Sequence, residues 1–181
     1  MIGISRKALF AKLNSLCFQT LEGATVLCKL RGNPFVELVH WVSHILQQND
    51  SDWHYILRSS GVEPTILIAE VNNHLNRLPL GSNHIRDLSD DILHAVERSW
   101  MFASVQFGRN QIRSADILLG LIKTPALRQN LIRISSQFAT LDPSRLMEML
   151  TKDSAQCLAQ SPESRASERC DHGLPGVTSG A

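Results

Sequence analysis

No charge of either sign dominates this sequence: 18 lysines and arginines stand against 17 aspartates and glutamates in 181 residues. A balance that close to zero supplies no field to hold a nucleic-acid backbone or an anionic membrane surface, so those partner classes are set aside. Long apolar runs are also missing. The best, Ile117-Leu118-Leu119-Gly120-Leu121-Ile122, falls far short of the ~18 apolar residues of a membrane helix and reads as the inner part of a buried one. The N-terminus places Arg6 and Lys7 after its first apolar residues and has no continuous apolar segment, which makes it a poor secretory signal. Cysteine is scarce, and Cys17, Cys28, Cys157 and Cys170 form no close pair. The first two lie on a helical stripe, where a thiol packs as a small apolar group. These absences point to a reducing, cytoplasmic compartment. Nor does any stretch alternate with period two for long enough to make a convincing strand, so the fold class is all-α.

What is present is one plan used twice. An amphipathic run ends at Arg31-Gly32-Asn33-Pro34-Phe35-Val36, and another ends at Phe107-Gly108-Arg109-Asn110-Gln111-Ile112. In each, glycine breaks the run, a β-branched residue follows four positions on, and a new apolar run begins. Gly32 and Gly108 lie 76 positions apart, as do Val36 and Ile112. Upstream, Leu13, Cys17, Thr20, Ala24, Leu27 and Cys28 fall against Leu88, Ile92, Ala95, Ser99, Phe102 and Ala103 at an offset of 75. Downstream, Val62-Glu63-Pro64-Thr65 answers Leu141-Asp142-Pro143-Ser144. Three marks in the same order argue for tandem duplication of one helical unit.

The spacing predicts a short helix over 5–12 with no counterpart before the second unit. The first unit, about 13–79, then runs through helices at 13–31 and 36–47, a third after the capping cluster Asn49-Asp50-Ser51-Asp52, and a fourth opened by Pro64. The second unit, about 87–152, should hold helices near 89–107, 113–123, 125–137 and 143–152, its first capped by Ser89 with Asp90 and Asp91 in the opening turn. Together these make one domain over 1–152. Beyond Asp153, Ser, Glu, Arg, Gly and Pro dominate and apolar periodicity is gone, so 153–181 reads as a flexible linker.

Catalytic chemistry is hard to find. His40 and His44 sit one helical turn apart, the zincin spacing, but Trp41 stands where a zincin carries its glutamate. Two histidines on the polar flank of a helix buried through Trp41 and Ile45 is the plainer reading, so no metal ligand is assigned. Gly120-Leu121-Ile122-Lys123-Thr124 lacks the glycine-rich loop of a phosphate cradle. No nucleophile, base and oxyanion donor stand at a recognisable spacing, so no catalytic residue is assigned. A rigid double repeat with an added amphipathic helix instead suits a recognition module that takes a partner helix into a groove.

The residues that carry a resemblance are Lys12-Leu13-Asn14-Ser15-Leu16-Cys17 with Leu21-Glu22, Cys28-Lys29-Leu30-Arg31-Gly32-Asn33-Pro34, Val36-Glu37-Leu38-Val39-His40-Trp41, Asp87-Leu88-Ser89, Ala95-Val96-Glu97-Arg98 and Leu118 to Pro125. Over about 5–150 the chain resembles the Clp N-terminal domain of Hsp100 AAA+ unfoldases, most closely the ClpV (TssH) branch that serves bacterial type VI secretion. General Clp domains have a Glu-His pair entering the second helix of each unit. Here Val39-His40 and Ala115-Asp116 stand there, a departure that favours the specialised branch.

The resemblance implies a double Clp-N repeat of two pseudo-symmetric four-helix units plus one extra N-terminal helix. It also implies recognition of the amphipathic N-terminal helix of the large sheath subunit, TssC or VipB, so that contracted sheaths are disassembled. ATP and magnesium would belong to AAA+ modules that this segment lacks, so the segment should need no cofactor and catalyse nothing. It should be monomeric, with the hexamer built by those modules. The groove is assigned to Leu9, Phe10, Leu13 and Leu16 of the leading segment and to Ile85, Leu88 and Ile92 at the opening of the second unit. Ordinary core is the plainer reading of such stripes. Leu9 and Phe10 argue most for a surface, because a helix added to a complete double repeat has less left to bury against. The alternative function is the N-domain of a general disaggregase of the ClpB or ClpA kind, binding unfolded chains or an adaptor.

Overall fold

The computed structural model describes residues 4–152 and 161–171. A short α1 (Arg6–Phe10) precedes α2 (Ser15–Arg31), the two-residue strand β1 (Phe35–Val36), α3 (Leu38–Gln47), α4 (Asp52–Ser59) and α5 (Pro64–Asn76). The second unit runs through β2 (Asp87–Leu88), α6 (Asp90–Met101), α7 (Ser114–Lys123), α8 (Pro125–Ile134) and α9 (Pro143–Lys152), and α10 (Pro162–Asp171) follows. Local chemistry sets many of the boundaries. The Asn14 side chain caps α2 by accepting from the Cys17 amide at 2.9 Å. Gly32 and Gly108 adopt φ of 67° and 62°, a left-handed turn that only glycine enters without strain. Proline opens α5, α8 and α9, where its missing N–H removes no helical bond.

Two expected helices end differently. After Met101, α6 widens into a π turn over Phe102–Gln106, and α8 stops at Ile134 before a 3-10 turn over Ser136–Thr140. Ser89 stands at the N-cap of α6 but its side chain makes no capping bond. The same holds for Ser51 before α4.

The two units exchange backbone contacts reciprocally. β1 of the first pairs in parallel with β2 of the second, Val36 against Leu88, while Ile112 of the second bridges in parallel to Leu13 of the first. These are the positions that the repeat sets against each other. The Asn14 amide donates to Ile112 O and the Ser89 amide to Val36 O, both at 2.9 Å. One contact seen from each side is the signature of a pseudo-twofold relation. The strands are too short to have shown in the sequence, and they are stitches between helical units within an all-α fold.

Close helix packing is also duplicated, with the small residue exchanged. A Cβ on Gly23 of α2 would come 2.7 Å from the His44 ring of α3, whereas on Gly120 of α7 it would come 2.9 Å from Ser99 Oγ of α6. The glycine sits on the first helix of one pair and the second of the other. Trp41, Trp53 and Phe138 are the largest fully buried side chains of the shared core. Trp41 Nε1 donates to Thr20 Oγ1 at 3.1 Å and Trp53 Nε1 to Ser114 O at 2.7 Å, so each buried indole N–H has its partner.

The flexible-linker reading needs correction over 161–171, while 153–160 and 172–181 lie outside the described residues. Ser161 caps α10, accepting from the Ser164 amide at 3.0 Å, Pro162 follows, and Glu163 is buried against both units. Apolar periodicity could not show this helix, because a carboxylate rather than an apolar stripe docks it.

Candidate peptide-binding surface

The leading segment is fastened to the second unit at three points. Arg6 Nη1 lies 3.0 Å from the Asp87 carboxylate, Lys12 Nζ sits 4.8 Å from the centre of the Trp100 ring, and Lys12 O accepts from the Ile112 amide at 2.7 Å. The ion pair is exposed and contributes little by itself. The backbone bond and the packing of α1 on α6 set the position.

That position corrects part of the groove assignment. Leu9, Leu13 and Ile92 are 3%, 5% and 0% exposed, so these three are core, among them Leu9, one of the two side chains that argue most for a surface. The reason is the reciprocal stitching: Leu13 lies under the bridge to Ile112, and α1, drawn onto α6, buries Leu9 as it docks. Phe10, Leu16, Ile85 and Leu88 remain partly exposed at the edge of the core. Of these, Leu16 lines a cleft of about 230 Å³ with Asn14, Gln19, Gln111 and Ala166.

Sequence reading missed a second apolar feature. Val26 and Leu30 on α2 and their counterparts Met101 on α6 and Val105 in the π turn all face solvent, Leu30 and Val105 by 80% and 83%. The signal was there, because these pairs obey the offset of 75 while falling off the buried stripe. Both units keep the same exposed apolar face.

The histidines are also placed differently from the polar flank expected of them. His40 is fully buried. The Glu37 amide donates to its Nδ1 at 2.9 Å, which leaves the proton on Nε2, 3.0 Å from Asn33 Oδ1. Both ring nitrogens are engaged within the protein. Burial lowers its pKa to about 4, so the ring is neutral. His44 packs against Gly23. Among the described residues, no group of three or more His, Cys, Asp and Glu is placed to hold a metal. The buried Cys17 thiol is pushed up by desolvation and then by the Glu163 charge, which keeps it protonated and a poor nucleophile.

Asp52 was read as a capping residue, yet it is fully buried and accepts from Arg113 Nε at 3.0 Å and Nη2 at 2.9 Å. This two-pronged ion pair joins the first unit to the second. The perturbed groups therefore hold the scaffold together, and the surface they support is apolar and open. Such a surface can bind a chain by shape and hydrophobic contact. No helix among the described residues is long and apolar enough to cross a membrane.

Comparison with known proteins agrees with this geometry. Residues 12–132 match the model of the Clp repeat (R) N-terminal domain. The AAA+ ATPase ClpV1 of Pseudomonas aeruginosa is 47% identical over 184 residues, covering 100% of this chain and 20% of that protein. The chain thus spans about a fifth of the length of the curated relatives it matches. A solved structure from work on the coevolution of the ATPase ClpV, the TssB–TssC sheath and the accessory HsiE protein superposes with a TM-score of 0.82 at 48% identity, covering 90% of this chain and 98% of that one. A complex of a ClpV N-domain with a VipB peptide gives a TM-score of 0.72 at 25% identity, covering 90% and 97%.

Proposed function

Because the chain belongs to the Clp repeat N-terminal domain family, we propose that it is the recognition domain of a ClpV-type unfoldase, binding the amphipathic N-terminal helix of the large type VI sheath subunit. Engagement of that helix would deliver contracted sheaths to AAA+ modules elsewhere in the whole protein. The carrying observation is the fastening of α1, which no repeat explains, against the start of the second unit, beside the likeness to a ClpV N-domain solved with a sheath peptide.

Phe10, Leu16, Ile85 and Leu88 are the side chains proposed to meet the peptide, with Leu9, Leu13 and Ile92 as the buried support beneath them. The domain would act in the bacterial cytoplasm as a monomer and need no cofactor. ATP, magnesium and hexamer assembly would belong to the AAA+ modules, and neither nucleic acid nor membrane is a partner.

Fluorescence anisotropy with a labelled peptide of the sheath N-terminal helix tests this reading. Saturable binding is expected, weakened roughly tenfold or more by Phe10→Arg while the unfolding midpoint stays within a few degrees of wild type. Unchanged binding in both Phe10→Arg and Leu88→Arg would remove the groove assignment. Binding of assorted unfolded chains with no preference for the sheath peptide would favour a general disaggregase domain instead.

A further inference from the structure

The carboxylate of Glu163 sits where both units present donors. Its Oε1 accepts from the Ser114 amide at 2.6 Å and from Asn14 Nδ2 at 2.9 Å; its Oε2 accepts from Ser114 Oγ at 2.5 Å and from the Asp52 amide at 2.9 Å. Ser114 and Asp52 are the first residues of α7 and α4, whose unpaired amides favour an anion, and Asn14 is the cap of α2. Three helix starts from two units thus converge on one side chain from a fourth helix. Around them, Ser161 Oγ donates to Asp52 Oδ1 at 2.6 Å, and Arg113 Nη2 reaches Ser161 Oγ at 3.3 Å. Farther along α10, Asn14 Nδ2 also reaches Ser167 Oγ at 3.2 Å, while Arg165 and Ala166 are exposed.

We propose that Glu163 is a latch that holds α10 across the seam between the two units, and that α10 is a separable arm whose docking sets the direction in which the chain leaves the domain. Other contacts join the units without α10: the reciprocal backbone bonds, the Asp52–Arg113 ion pair and the bond from Trp53 Nε1 to Ser114 O. The receptor is specific for a carboxylate, because N–H and O–H donors, with the Cys17 thiol 3.8 Å from Oε1, converge on its two oxygens, and an amide in the same place would turn its NH₂ onto some of them. Docked, α10 also forms one wall of the cleft that Leu16 lines. A partner entering that cleft meets the arm, and a released arm opens it. The inference rests on contacts within this chain and does not require the sheath-peptide reading.

Hydrogen exchange on the full chain tests it, comparing wild type with Glu163→Ala and Asn14→Asp. The second variant keeps an oxygen to cap α2 but turns a negative charge on Glu163. Amides of α10 should exchange roughly tenfold or more faster in both variants, while amides of α3 and α7 beyond their first turns keep wild-type rates. Any of three results overturns the proposal: α10 amides as slow in both variants as in wild type, α10 amides already unprotected in wild type, or loss of protection throughout the domain. The last would make Glu163 a core staple instead of a latch. Sheath-peptide affinity, measured separately, can fail without touching any of these outcomes.

Discussion

The two units solve one local problem with different chemistry. At the third position of α3 in the first unit, His40 accepts from the Glu37 amide and faces Asn33, the residue after the left-handed Gly32. At the same place in the second, Asp116 accepts from the Arg113 amide at 2.9 Å and lies 2.9 Å from Arg109, the residue after Gly108. The Arg109 contact is an ion pair and not an aligned hydrogen bond. A neutral imidazole and amide in one unit thus stand for a carboxylate and guanidinium in the other. The architecture demands an acceptor for a helix-start amide and a tie back to the glycine turn, and it tolerates either charge state provided the partner matches. Duplication kept the geometry and let the electrostatics diverge.

Removing the third-position side chain from each unit should separate the two solutions most strongly. Asp116→Ala strands the partly buried Arg109 and the Arg113 amide, and should lower stability in urea unfolding by about 3 kcal/mol. His40→Ala strands only neutral groups and should cost about 2 kcal/mol. An equal or larger loss at His40 would break the comparison.

The exchanged glycines give the next contrast. Ala at Gly120 meets the Ser99 backbone nitrogen at 3.0 Å, which cannot move cheaply, and should cost roughly 1–2 kcal/mol. Ala at Gly23 meets the His44 ring, which can swing aside, so its loss should stay under about 1 kcal/mol after the gain in helix propensity. Melting temperatures of the two variants decide the order.

Smallest, and visible only as slopes, are opposite dependences on pH. His40 is lowered from 6.5 to about 4, so its contribution is present above 6.5 and is lost as pH falls through 4. Burial raises Asp116 from 3.8 to about 6 against the pull of Arg109, so its contribution is present below 3.8 and is lost as pH rises through 6. The stability difference between wild type and His40→Asn should therefore shrink on acidification from pH 6.5 to 4, and that between wild type and Asp116→Asn should grow from pH 6 to 3.8. Each slope should stay below about 1.4 kcal/mol per pH unit. Slopes of the same sign would show that the two sites are not electrostatic opposites.

The repeat was legible because its marks are local. A glycine at positive φ, a proline at a helix start and a buried stripe each act within a turn or two of chain, so Gly32, Gly108, Pro64 and Pro143 announce themselves. The candidate surface was only partly legible. A stripe such as Leu9–Leu13–Leu16 states that a face is apolar but not what covers it, and here Leu9 and Leu13 are buried while Leu16 is not. Asp52 read as a cap and Glu163 as part of a solvated tail, since each has its partners 49 or more positions away. The Ser161-Pro162-Glu163 start was the one local sign of α10, of the same kind as the starts at Pro64 and Pro143.

By itself the sequence determined that this chain is two copies of a helical unit behind one unmatched segment, because periodicity, helix stops and helix starts are properties of short stretches. Only the tertiary structure decided that the copies clasp each other reciprocally, that α1 is absorbed far enough to bury Leu9, and that a carboxylate from beyond the repeats locks onto three helix starts. Those outcomes depend on which surfaces meet, and for a buried charge on whether distant donors converge, which no one-dimensional pattern records.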